Sequence, residues 1–141
     1  MKRGQISVEY LIVVGFVIFL VLSVLGVAFY YSSALRDSIK FYQLKGYANK
    51  AISSAESVFF AGEPSKSTFT AYLPDGVSQV YAYEENDDYS LVFVISSSGG
   101  DNVISYPSDV RLMTEGLTIT QGVKRIEAIA YPDYALLREA N

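Results

Sequence analysis

One carboxylate, Glu9, stands at the mouth of a long stretch in which no side chain from Tyr10 to Leu35 carries a charge. A carboxylate beside an apolar helix is costly unless something pairs with it. The chemistry it offers is therefore ion pairing, and its partner is the first functional question. Other chemistries are closed or weakly supported. Cys and His are both absent from the 141 residues. That excludes a disulfide framework, a Cys/His zinc site, a thiol nucleophile and an imidazole base. The acidic run Glu84, Glu85, Asp87 and Asp88 lacks the alternating carboxylates and central Gly of a calcium loop and reads as a solvated hairpin tip. Gly99-Gly100 is followed by neither a helix nor a Lys, so it is a turn and not a phosphate cradle. No spacing points to a glycosidase carboxylate pair. The formal net charge of -4 argues against nucleic acid as a partner. No cofactor or metal is expected.

The uncharged run is long enough to span a bilayer, which needs about 20 apolar residues in a helix. One reading is a secretory signal peptide, with Lys2 and Arg3 as its basic start and Gly26-Val27-Ala28 as a small-residue cleavage site. Glu9 interrupts its apolar part, and the run exceeds the usual length. Another is a plain membrane anchor, with Tyr30 and Tyr31 at the level of an aromatic belt. Flanking charge does not orient it. Lys2 and Arg3 precede the span, while Arg36, Lys40, Lys45 and Lys50 follow it.

A third reading accounts for every residue. The segment Lys2-Arg3-Gly4-Gln5-Ile6-Ser7-Val8-Glu9-Tyr10-Leu11 resembles the class III signal peptide of archaeal type IV pilins. In that family a prepilin peptidase cuts after the Gly and leaves the apolar segment in the mature protein. The resemblance places the cut between Gly4 and Gln5. The family's Gln-x-Ser-x-Glu-x-x-x-Leu pattern falls on Gln5, Ser7 and Glu9, with Val13 in place of the final Leu. Cutting there discards both early cations and exposes an amine on Gln5. That amine lies one helical turn from Glu9, because residues four apart share a helix face. The pair can form within one subunit or between neighbours. In the family the equivalent carboxylate is thought to meet the N-terminus of an adjacent subunit during assembly.

The elements that must hold these residues follow from the pattern. No Pro occurs before Gly62-Glu63-Pro64, a C-cap glycine with a proline just beyond. A helix from Gln5 to Ala61 would be roughly 85 Å long at 1.5 Å per residue. Gly15 and Gly26 lower its propensity but allow close helix approach in apolar surroundings. Its second half carries two apolar stripes. Leu44, Ala48, Ile52, Ala55 and Phe59 are expected to seat a domain; Leu35, Ile39 and Tyr42 are expected to meet other subunits.

After Pro64 the apolar period becomes two. Strands are expected at Thr68–Leu73, Val80–Tyr83, Tyr89–Ser96, Val103–Tyr106, Asp109–Met113, Leu117–Thr120, Val123–Tyr131 and Tyr134–Arg138, joined by short turns into an antiparallel meander. Tyr72, Tyr81, Tyr83, Tyr89, Tyr106, Tyr131 and Tyr134 fall on or beside them, where aromatics stabilise sheets. The expected fold class is α+β: one very long N-terminal helix, then an antiparallel β-sheet head, the lollipop form of pilins. The expected divisions are a leader, 1–4; the long helix, 5–62, apolar over about 5–34; and the β-rich head, 63–141.

The resemblance implies a structural subunit and not an enzyme. It would sit in the cytoplasmic membrane before assembly and in a cell-surface filament afterwards. Its implied partners are copies of itself, the prepilin peptidase, an assembly ATPase and a membrane platform. Gly4 and Gln5 would serve processing; Gln5, Glu9, Gly15 and Gly26 would serve assembly. The alternatives are a minor pilin or binding subunit with the same leader, and a single-pass anchored domain that does not polymerise. An archaellum relative fits the leader less well.

Overall fold

The computed structural model describes the backbone of residues 2–140 and the side chains of residues 7–140. The protein is α+β, with helix α1 (Lys2–Ala61) followed by seven strands. It divides after Arg36 into two compact units.

The first unit is the N-terminal part of α1. From Ser7 to Arg36 no side chain is buried. Large apolar residues stand open on all sides, including Leu11, Phe16, Phe19, Leu22 and Phe29. A helix apolar all round does not suit water. This one is long and apolar enough to cross a membrane. Its hydroxyls are satisfied by its own backbone: Ser23 Oγ donates to Phe19 O at 2.8 Å, and Ser33 Oγ to Tyr30 O at 2.9 Å. That is the arrangement a hydrocarbon surrounding requires.

The second unit, residues 37–141, is built on the C-terminal part of α1. The helix ends where the sequence stops it. Gly62 takes a φ of 81°, and its N–H reaches the carbonyls of Val58 and Phe59 at 3.1 and 3.0 Å. The strands are β1 (Lys66–Leu73), β2 (Val77–Glu85), β3 (Asp88–Ser97), β4 (Gly100–Ser108), β5 (Leu112–Glu115), β6 (Gly122–Ala130) and β7 (Ala135–Glu139). They form two sheets and not one meander. β2, β3 and β4 make an up-and-down sheet in chain order, while the other has the order β1-β6-β7-β5. The β6–β7 hairpin lies between β1 and β5, and β5 runs parallel to β7. The expected antiparallel pairing holds for every other ladder.

Two strand expectations are corrected. The fifth strand begins at Leu112, not Asp109, because Asp109 is bonded to the helix instead of to a ladder. Leu117–Thr120 is not a strand. The N–H of Thr118 donates to the Glu139 carboxylate at 3.0 Å and its hydroxyl to the same oxygen at 2.6 Å. Lys124 Nζ binds the hydroxyls of Thr118 and Thr120. Side chains thus take the backbone and hydroxyl groups that a neighbouring strand would need. A β-like pattern cannot pair without a free edge.

Local turn chemistry aligns the sheets. Asn86 and Asp87 have φ of 51° and 67°, the two left-handed residues of a type I′ hairpin turn. At the β1–β2 turn, Gly76 has a φ of 84°, and a Cβ there would lie 3.0 Å from Ser96 O. Gly76 O in turn accepts from Ser96 N at 2.8 Å. Both the conformation and the space demand glycine.

The core is one cluster. Leu44, Tyr47, Ala48, Ala51, Ile52, Ala55 and Val58 from α1 meet Ala71, Leu73, Leu91, Phe93, Ile95, Ile126, Ala128 and Leu137 from both sheets. Tyr47 and Tyr106 each set an edge against the Phe93 ring, at 5.8 and 5.9 Å between centroids. The later stripe therefore seats the head as expected, with Phe59 packed at its margin. Leu35, Ile39 and Tyr42 remain exposed at 63%, 55% and 76%. Phe93→Ala removes a fully buried ring and is expected to cost about 3–5 kcal/mol. Ile39→Ala is expected to cost less than about 0.5 kcal/mol. Guanidinium denaturation of the detergent-solubilised protein, followed by near-ultraviolet circular dichroism, checks both. Equal losses would mean that the Ile39 stripe is part of the core.

Candidate functional site

Gly4 and Gln5, the residues expected to serve processing, lie in α1 by backbone, but their side chains fall outside the described residues. Glu9, Gly15 and Gly26 are on the same helix. The resemblance implies an assembly role for these residues, and α1 sets them out along its length, not around a pocket. Glu9 is exposed and has no hydrogen bond or ion pair to any described residue. In the uncut chain the Gln5 nitrogen is a peptide amide and offers it no charge. A Cβ at Gly15 or Gly26 would meet nothing within 4 Å, so both glycines open onto the helix surface. They are eleven residues apart, which brings them within about 20° of one face at 100° per residue. Glu9 lies about 100–120° away from that face. The helix thus offers two distinct lateral surfaces, one carrying the two glycines and one bearing a lone carboxylate.

Tyr30 and Tyr31 are exposed and meet edge to face at 5.8 Å. An amphipathic ring of this kind suits the boundary between hydrocarbon and water.

On the second unit the helix carries four polar latches that the sequence shows only as scattered charges. Asp37 accepts from the N–H of Ser98 at 3.1 Å and from its hydroxyl. Lys40 pairs with Asp75 at 3.0 Å. Lys50 donates to Thr70 O at 3.3 Å. Glu56 accepts from the N–H of Asp109 at 2.9 Å and from the Ser108 hydroxyl at 3.5 Å. Together they tie the β3–β4 turn, the β1–β2 turn, strand β1 and the β4–β5 link to one helix. The available signal was their position: each flanks the buried stripe of α1.

The acidic hairpin is a tip, as its composition suggests. Arg111 holds Glu84 at 2.8 Å, and Tyr83 donates to Glu85 at 2.8 Å, which raises the Tyr83 phenol above its ordinary value. Among the described residues no group of three or more acids is placed to hold a metal ion. On the outer face of the four-stranded sheet, Glu127 takes Lys66 at 2.7 Å and Arg138 at 2.9 Å, linking β1, β6 and β7. By sequence, residues 37–141 hold fourteen carboxylates against eight basic side chains, a formal charge of -6.

A shallow groove of about 330 Å³ runs beside the exposed stripe of α1, lined by Ser38, Phe41, Tyr42, Lys45 and Tyr106. Burial raises the Tyr106 phenol above its ordinary value. Lys45 is the only charged member and has no hydrogen bond or ion pair to any described residue.

Comparison with family models, curated proteins and solved structures finds no match.

Three carboxylates of this unit are held below their ordinary values. The hydroxyl and N–H of Ser98 do this for Asp37, Lys66 and Arg138 for Glu127, and the Thr118 hydroxyl first of all for Glu139. Folding thus favours their ionised forms. The stability they confer is complete above the ordinary carboxylate value and drains as pH falls through the folded one. Stability is expected to stay level from pH 7 to about 5 and to fall below about 4. Glu139→Gln is expected to shrink the acid-induced fall. Thermal melts across that range check it, and an unchanged acid limb in the variant would remove Glu139 from this account.

Proposed function

We propose that this chain is the structural subunit of an archaeal type IV pilus. It is held in the membrane by its apolar helix, cut between Gly4 and Gln5, and polymerised through that helix. The observation that carries the reading is the setting of Glu9. It is a lone carboxylate, unpartnered among the described residues and one turn past the Gly4–Gln5 junction. It opens a helix with no buried side chain from Ser7 to Arg36. Cutting supplies the cation this carboxylate lacks, since the new amine of Gln5 falls on its face of the helix. A pair formed this way adds little net stability, but it serves to set register.

The exposed apolar surface supports the same reading. Such a helix needs lipid or copies of itself around it. Moving it from lipid to a filament core gives no hydrophobic gain, so close packing must supply the preference. The open faces of Gly15 and Gly26 permit that packing. Polymerisation also needs a heterologous contact, in which one surface meets a different one. The glycine face and the Glu9 face are two such surfaces on a single helix. The β-rich head would form the outer layer, available for adhesion or cell contact. The peptidase, an assembly ATPase and a membrane platform are the partners this function requires.

N-terminal sequencing of the mature protein tests the proposal directly. Gln5 is the expected first residue, and Glu9→Gln is expected to leave the cut intact while reducing sheared filaments at least about tenfold. A mature N-terminus at Phe29 would mean a signal peptide, and one at Met1 an uncut anchor. Either result sinks the pilin reading.

A further inference from the structure

We propose that the groove lined by Phe41, Tyr42, Lys45 and Tyr106 receives the N-terminal helix of a second copy, with Lys45 on one copy pairing with Glu9 on the other. The inference rests on the filament reading and names the contact that links one subunit to the next. The groove is aromatic except for Ser38 and one cation. Beside it, Ile39 and Tyr42 are 55% and 76% exposed, an unusual surface for a helix that already buries its opposite stripe. A complementary occupant is apolar and carries one anion.

Of the fifteen acidic residues of the chain, fourteen belong to residues 37–141. The remaining one, Glu9, stands on the apolar part of α1. Its helical neighbours Val8, Ile12 and Val13 are exposed apolar residues. The segment around it therefore brings one carboxylate on an apolar surface to a groove that presents one ammonium on an apolar surface. In such surroundings the attraction between unlike charges is stronger than in water. An unpaired partner is also costly, so the contact discriminates strongly for register. A carboxylate has two oxygens. The Gln5 amine of the same helix can take one and Lys45 of the next subunit the other. Positions 9 and 45 occur once in every copy, so each subunit both gives and receives this contact. Made head to tail, the contact is heterologous, and it extends into a filament where the rotation does not close.

The absence of cysteine makes the test clean. In a Val13→Cys/Asn49→Cys variant, both positions lie one turn beyond the charged pair, and Glu9 and Lys45 are untouched. Asn49 is exposed in the head and Val13 on the helix. Filaments treated with a short bis-maleimide are expected to give a ladder of dimers, trimers and higher multimers on a denaturing gel. Either single-cysteine variant can give dimers at most. Lys45→Glu is expected to lower the yield of sheared filaments at least about tenfold, with unchanged head stability by thermal melt. Lys45→Arg is expected to retain most of the yield. Filaments of the double-cysteine variant that give no ladder, or Lys45→Glu filaments at the wild-type yield, overturn this docking and leave the filament reading standing. A wild-type protein that is cut at Gln5 yet never forms filaments removes the filament reading itself.

Discussion

Everything in the head depends on one helix stripe that serves as a wall for two sheets. Leu44, Tyr47, Ala48, Ala51, Ile52, Ala55 and Val58 are all buried, and three of the seven are alanine. Alanine keeps helix propensity high while allowing strands to approach closely. The larger members supply the apolar volume, and Phe93 fills the middle of the three-stranded sheet against Tyr47. Neither sheet closes on itself. With no disulfide to restrain the unfolded chain, the apolar contact with α1 and the four polar latches must hold both sheets in place. This is why the helix cannot stop where its uncharged run stops. Its continuation to Ala61 is the scaffold of the folded unit.

The same helix is left with surfaces that its own chain does not cover. Up to Arg36 all of it is open; beyond Asp37 the uncovered part is narrower and runs through Ile39 and Tyr42. These demand different partners. The first is hydrocarbon in character, with its serine hydroxyls turned back onto the backbone. The second is mixed, with aromatic rings beside Lys45 and Ser38. A bilayer satisfies the first but not the second. Under the proposed docking, a neighbouring helix with one carboxylate would cover the second.

Much of this was legible because helix signals are local. The glycine at 62 and proline at 64 set the end of α1 to within a residue. The separation of two apolar stripes distinguished the buried face from the open one. Strand positions were legible for the same reason: the apolar run Leu91–Ile95 within Tyr89–Ser96 reports a central strand, and alternation along Val123–Tyr131 a half-buried pleat. Sheet membership was not. The insertion of the β6–β7 hairpin between β1 and β5 is a long-range choice that no window of sequence reports. Leu117–Thr120 misled because its pattern fits a strand while Glu139 and Lys124 take its hydrogen bonds. The latches at Asp37, Lys40, Lys50 and Glu56 read as ordinary helix charges, since their partners lie at least twenty residues away. Of the candidate site, the placement of Glu9, Gly15 and Gly26 followed directly from helix periodicity. The Lys45 groove did not, because Tyr106 joins it from strand β4.

Charge sharpens what any contact between copies has to overcome. A head with a formal charge of -6 repels its own copies, and that repulsion is long-ranged at low salt and largely screened beyond about 8 Å at physiological ionic strength. Specific attraction therefore has to act at short range and away from the acidic outer surfaces. Most of the head's cations are already committed: Lys40 to Asp75, Lys66 and Arg138 to Glu127, Arg111 to Glu84, and Lys124 to its buried network. Lys45 is uncommitted among the described residues, and it stands on the face of α1 that the sheets leave open. Loss of Lys2 and Arg3 with the leader would remove two competing cations from the neighbourhood of Glu9. A cut at Gly4 would then do more than free an amine. It would leave an apolar helix with one anion near its start, matched to the surface where the head keeps a cation in reserve.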